Sequence, residues 1–295
     1  MLTNLQFILV PLVASLLLLG FTSYFGIHVL KREIIFIDIA LAQIAVLGGV
    51  VVVYLEESLQ LHGIMVGKRE LSGVLESLFS LLFCLGAALI FAYLKNPRIR
   101  VPIEAFIGIA YAFATTAAVI ILDKGAGADV HLHDMLTGVL LWTTWSQVLR
   151  LAVVLAIVGG LHVAYRKKFI RLSDRDRLSP GDFPRRKRWD FLFYFTLGIM
   201  IIEAVKIAGV LTVFAFLILP ASISALFSAG WRNRILIGIG TGLIATLLGL
   251  HFSLTLDLTA SPLIILFLGI LFLAGLLVRR FMKRKPTELN SGTSR

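Results

Sequence analysis

The sequence predicts an all-α polytopic membrane protein with eight to nine transmembrane helices, and three observations carry that reading. Of 295 residues, 58% are hydrophobic and only 15% are charged, against about 25% charged in an ordinary soluble domain. Apolar runs recur along the whole chain, giving a mean hydropathy of +0.93, and each is near the ~20 residues that cross a ~30 Å hydrocarbon core as a helix. The basic residues, finally, fall almost entirely in alternate connections.

The runs lie at 7–30, 34–55, 71–94, 101–122, 144–165, 190–208, 209–228, 234–256 and 261–282. The first has no basic residue ahead of it and is too long for a signal-peptide core, so it reads as a retained span. The sixth and seventh form one unbroken apolar stretch, longer than a single crossing requires. We split it between Ala208 and Gly209, with an eight-span chain containing one re-entrant segment as the alternative.

Nine alternating spans sort the charges sharply. One side receives Lys31, Arg32, Lys95, Arg98, Arg100, ten basic residues from Arg166 to Arg188, Arg232, Arg234 and five more from Arg279 to Lys285. The other receives Lys68, Arg69 and Lys124, with Glu56, Glu57, Glu70, Asp123, Asp129, Asp134 and Asp257. The net charge of +11 therefore follows the positive-inside pattern rather than suggesting a nucleic-acid partner. It predicts a bacterial inner-membrane protein with its N-terminus outside and its C-terminus cytoplasmic. Residues 1–285 form the transmembrane domain, and 286–295 a disordered tail.

Ionisable groups within a bilayer are costly and are functional candidates by default. Asp38 lies early in the second span. At 100° per residue it sits about 140° around the helix from Gln43, so the two share no narrow face. The small residues Ala40, Ala42, Ala45, Gly48 and Gly49 suit close helix contact and mark an interior helix. Asp38 reads either as a cation ligand or gate, or as a carboxylate paired with Lys31 or Arg32. Glu203 and Lys206, three residues apart, read as a packing pair or as groups along a pathway. Pro220 removes a backbone donor in the seventh span, where Ser222 and Ser224 can satisfy freed groups.

The outer connection holds Asp123, Asp129, His131, His133 and Asp134. Imidazole and carboxylate together suit zinc or manganese, and an extended His-x-His places both rings on one side with Asp129 near. A plain solvated loop is the competing reading. The single Cys84 offers neither a disulfide framework nor a cysteine cluster. The nearest approach to a P-loop, Gly63-Ile-Met-Val-Gly67-Lys68-Arg69, has the wrong spacing, and no hydrolase motif occurs. The chain reads as neither an ATPase nor an enzyme. Its longest charged connection opens with Arg166, Lys167, Lys168, Phe169 and Arg171, where apolar side chains interrupt the charge. That suits a partner protein, or anionic headgroups.

The stretch Lys206-Ile-Ala-Gly209-Val-Leu-Thr-Val-Phe-Ala-Phe-Leu-Ile-Leu-Pro220-Ala resembles the signature of zinc and manganese ABC importer permeases, in which Lys-x-x-Gly-Val-Leu-Leu runs into Ile-Pro-Ala. Ala40-Leu-Ala-Gln43-Ile-Ala-Val-Leu-Gly48 is similar to the family's Gly-Asp-Ala-x-Ser-His-Ala-x-x-x-Gly, and 254–278 to its last pair of spans around an outer Asp. The resemblance implies a type II ABC importer permease that moves a divalent metal ion as substrate, with no covalently bound cofactor. It implies a homodimer with a cytoplasmic ABC ATPase, which contacts the Arg166–Arg171 segment, and a periplasmic or lipid-anchored metal-binding protein. The family's His falls on Gln43 and its Asp on Ile39, with Asp38 one residue earlier, so an i, i+4 Asp/His pair becomes an i, i+5 Asp/Gln pair. The alternatives are a gradient-driven secondary transporter using Asp38 or Glu203/Lys206, and a divergent relative that carries a metal chelate.

Overall fold

The computed structural model describes residues 2–59, 65–66, 69–94, 101–122, 138, 140–174 and 183–283. Ten α-helices lie within them: α1 Leu2–Arg32, α2 Ile37–Leu59, α3 Leu71–Leu94, α4 Ile103–Leu122, α5 Trp145–Ala164, α6 Arg166–Ser173, α7 Phe183–Ala208, α8 Val210–Phe227, α9 Trp231–Leu256 and α10 Ala260–Lys283. Nine of the ten are long and apolar enough to cross a membrane; the exception is the eight-residue α6. A two-residue antiparallel ladder, Met65 opposite Glu70 and Val66 opposite Arg69, precedes α3.

The split between the sixth and seventh spans falls where the sequence placed it. Helix α7 ends at Ala208 and α8 begins at Val210. Between them Gly209 has φ 77° and ψ 159°, a region closed to residues with a Cβ. Gly138, also left-handed at φ 70°, packs onto this break so closely that a Cβ there would lie 2.2 Å from the Ala208 carbonyl carbon. Both glycines are fixed by backbone geometry.

Two helix groups meet along α7. Helices α1, α8, α9 and α10 pack together, α2 packs with α3 and α4, and α7 touches α3, α2, α5 and α8. Helix α8 buries residues all round, including Thr212, Phe216, Pro220 and Ser224, as expected of a helix that is apolar on every face. Small residues set the closest approaches. A Cβ on Gly26 would lie 2.0 Å from the Leu217 carbonyl oxygen, one on Gly48 2.7 Å from that of Phe79, and one on Gly198 2.1 Å from Cys84 Sγ. Gly48 was expected to serve such a contact, and it brings α2 against α3.

Helix α1 closes through Glu33 at φ 53°, a left-handed residue that ends a helix and turns the chain. The turn is tied by Ile34 N–H donating to the Val29 carbonyl. Ile35 N–H donates to Glu104 Oε1 of α4 at 2.9 Å. The second span therefore starts from a fixed point, three residues before Asp38.

Candidate functional site

The two ends of the bundle separate chemically. At one end the last turn of α1 meets α6, α7 and α9, with Lys31 paired to Asp174 and Arg32 to Asp190. At the other, Ala208 and Gly209 meet Gly138, and Ser261 Oγ donates to the Ala208 carbonyl at 3.4 Å. Connections assigned to one side by their charge thus converge on one end.

Helix α6 is the element the sequence did not reveal, and a buried network fastens it. Ser173 Oγ donates to the Phe169 carbonyl at 3.1 Å, so both its acceptor positions are open to others. Arg32 Nε donates to it at 2.8 Å, and His28 Nδ1 donates to it at 2.7 Å. Arg32 Nη1 donates to Asp190 Oδ1 at 2.6 Å with both side chains 2% exposed, and Arg186 reaches Asp190 from the preceding turn at 3.3 Å. The Arg32 guanidinium carbon also lies 4.0 Å from the centre of the Phe193 ring.

A second histidine continues the network. Thr196 Oγ1 donates to the Leu192 carbonyl at 2.8 Å, so His162 carries its proton on Nε2 and donates to that oxygen at 2.9 Å. Its Nδ1 then accepts from the Tyr24 hydroxyl at 3.2 Å. Phe169 stacks on the His162 ring with centroids 4.1 Å apart.

This placement corrects one expectation. Phe169 is fully buried and Leu172 is buried, so they hold α6 to α1, α5 and α7 rather than offering apolar surface to a partner. Arg166, Lys167, Lys168 and Arg171 are exposed on the opposite face, with Lys168 lying over the Trp189 ring at 4.6 Å.

Asp38 presents the opposite situation. It is 2% exposed, and neither carboxylate oxygen pairs with another side chain among the described residues; its only polar neighbours are the backbone N–H groups of Asp38 and Ile39 in the first turn of α2. Pairing with Lys31 or Arg32 is excluded, because Asp174 and Asp190 take those cations. A lone buried carboxylate is expensive. Gln43, one turn and a half further along α2, is 5% exposed. No cluster of three or more His, Cys, Asp or Glu forms among the described residues, so α2 presents single oxygen donors rather than a closed metal cage. Asp129, His131 and His133 lie outside the described residues.

Glu203 and Lys206 do pair, at 3.5 Å, but Lys206 is 43% exposed and Glu203 19%. Pro220 is buried, and its Cβ stands 3.6 Å from where a Cβ on Gly238 would lie. It therefore packs α8 against α9. The expected serine compensation differs in detail, since Ser224 Oγ donates to the Ala221 carbonyl at 2.7 Å, not to the carbonyl four residues before the proline.

The residues that sequence reasoning missed are His28, His162, Ser173 and Asp190, while Arg32 was named only as a partner for Asp38. Their one visible signal was the occurrence of His28 and His162 inside apolar runs.

Comparison with known proteins places this architecture. A "Probable metal transport system membrane protein" of Chlamydia pneumoniae is 22% identical over 177 residues, 60% of each chain. One of the same description from Chlamydia trachomatis is 23% identical over 257 residues, covering 86% of this chain and 83% of the relative. The manganese transport system membrane protein MntC of Listeria innocua is 26% identical over 185 residues, 62% of this chain and 65% of the relative. The chain thus spans about 60% of the length of the first relative and most of the second. Among solved structures, PsaBC from Streptococcus pneumoniae in complex with Fab matches with a TM-score of 0.73 at 20% identity, covering 97% of this chain and 98% of that one. The model of the ABC 3 transport family matches residues 4–279, nearly the whole bundle, and the chain belongs to that family as a multi-pass membrane protein.

Proposed function

We propose that this chain is the permease subunit of an ATP-binding-cassette importer that brings a divalent metal ion, manganese in preference to zinc, across the bacterial inner membrane. The observation that carries the reading is Asp38, a fully enclosed carboxylate with both oxygens unpaired among the described residues. A passing cation would remove the cost of that charge, while each closure of the path would restore it. Such a site binds and releases. A closed cage of three protein ligands would hold its ion.

Carboxylate and amide oxygens suit manganese, whereas zinc favours imidazole and thiolate. Gln43, standing where the family has histidine, moves the donor set in the same direction as the manganese transport named for the Listeria relative. Asp129, His131 and His133 form the outer capture point in this reading. The chain itself does no covalent chemistry. A separate ATPase would dock on the exposed Arg166, Lys167, Lys168 and Arg171 of α6, and a homodimer and an external metal-binding protein complete the assembly. The N-terminus lies outside and the basic end faces the cytoplasm.

The test is metal accumulation by sealed vesicles holding the chain with its ATPase, comparing manganese, zinc and iron with and without ATP turnover. ATP-dependent accumulation of manganese above zinc is expected. Accumulation that persists without the ATPase would instead assign a gradient-driven carrier, and accumulation of a chelate alone would assign the other alternative.

A further inference from the structure

A cavity of about 460 Å³ opens at the basic end of the bundle, beside the turn between α8 and α9. Three cationic side chains from three helices line it: Lys31 from the last turn of α1, Arg234 from the first turn of α9 and Arg279 from the last turns of α10. Ser228 and the adjoining turn complete the wall, and no carboxylate lines it among the described residues.

The three cations differ in what already holds them. Lys31 is paired with Asp174 and lies 4.8 Å over the Trp231 ring. Arg234 is 7% exposed; its Nη2 donates to the Ala221 carbonyl at 3.4 Å, and its Nε is buried with no partner. A buried guanidinium N–H left unpaired is costly. Arg279 is half-buried. The cavity is thus built for an anion with several acceptor oxygens, and a phosphate matches the planar fork of arginine.

The surroundings decide which phosphate. The cavity lies at the level where the apolar spans end, and its rim is apolar. Phe227, 42% exposed, lines it together with Leu226, and the exposed Leu276 stands one turn before Arg279 on α10. A soluble anion has no use for that rim, whereas a lipid lays its acyl chains along it. We propose that this cavity binds the phosphate headgroup of an anionic phospholipid, with Arg234 and Arg279 as its principal contacts. Basic pockets between helices on the cytoplasmic side are suited to such headgroups.

The probe is phosphatidylglycerol. Delipidated full-length chain in its assembled complex is titrated with phosphatidylglycerol, with phosphatidylcholine and with inorganic phosphate. Bound lipid is read by native mass spectrometry and melting temperature by intrinsic fluorescence. One tightly retained phosphatidylglycerol per chain and a raised melting temperature are expected, with no comparable effect of phosphatidylcholine. Arg279→Gln, at the half-buried position, should weaken retention about tenfold, the scale of one charge-assisted hydrogen bond. Arg234→Gln should weaken it at least as much, Arg234→Lys less, and Arg280→Gln, outside the cavity, not at all. Equal retention by all four variants would overturn the proposal. Inorganic phosphate matching the lipid would overturn the lipid as source, and loss of the lipid whenever the ATPase is bound would give the cavity to a carboxylate of that partner instead.

Discussion

The basic end of the bundle and the interior of α2 both bury charge, and they treat it in opposite ways. Around Arg32 the charges are answered: Asp190 from α7 pairs with it, Ser173 from α6 accepts from it, and His28 one turn back on α1 joins through Ser173, with Arg32 Nη2 and His28 Nε2 left without a partner among the described residues. Around Asp38, a few residues further along the chain, no side chain among the described residues pairs with the carboxylate, and only the first backbone N–H groups of α2, those of Asp38 and Ile39, stand near it. A polar network whose charges are paired rigidifies what it joins, here the α6 helix and the ends of α1, α5 and α7. An unsatisfied buried carboxylate destabilises the resting fold and is retained for another reason. The first region is a fastening; the second, in the function proposed above, is the place a passing cation would fill.

The largest expected effect comes from breaking the fastening. Asp190→Ala leaves Arg32 buried and unpaired, which costs about 3–5 kcal/mol when one partner of a buried pair is removed. Melting of the detergent-solubilised protein should fall sharply, and less folded protein should reach the membrane. A fall no larger than that of a surface substitution would show that Arg32 reaches water.

Gly209→Val attacks the break between α7 and α8, where φ is 77°. Forcing a β-branched residue there costs about 1–3 kcal/mol, read as a lowered melting temperature. Thr196→Val removes the acceptor for His162 Nε2–H and leaves a buried donor unpaired, worth about 1–3 kcal/mol. Its effect should exceed that of Thr255→Val on the exposed face of α9, and equality of the two would remove His162 from the network. Glu203→Gln should matter least, under about 1 kcal/mol, because its partner Lys206 is 43% exposed.

Much of this bundle was legible in the sequence, for physical reasons that particular residues make plain. Apolar length fixes the spans, and a stretch too long for one crossing had to bend; the bend fell at the glycine that tolerates it. The alternation of basic connections foretold which elements meet at which end, as the convergence of Lys31, Asp174 and Trp231 bears out. Glu203 and Lys206 could be paired because they are three residues apart on one helix.

Partners far apart in sequence were not legible. Asp190 lies 158 residues from Arg32, and nothing local distinguishes it from the nearer Asp38, which is why pairing of Arg32 with Asp38 stood as one of two readings. Helix α6 was hidden by charge. Its apolar positions Phe169 and Leu172 are three apart, a helical spacing too short to stand out within a basic run. Likewise the polar run before Trp189 was read as loop, whereas α7 begins at Phe183 and Arg186 meets Asp190 one turn later.

The central claim is that Asp38 serves the transported ion and not the fold. Manganese uptake and melting temperature should therefore be measured together for Asp38→Asn, a change that keeps the shape and removes the charge. The account predicts that uptake collapses while the melting temperature holds or rises, since an unpaired buried charge has been deleted. Uptake that persists at the unsubstituted level, or a loss of stability like that of Asp190→Ala, would contradict it.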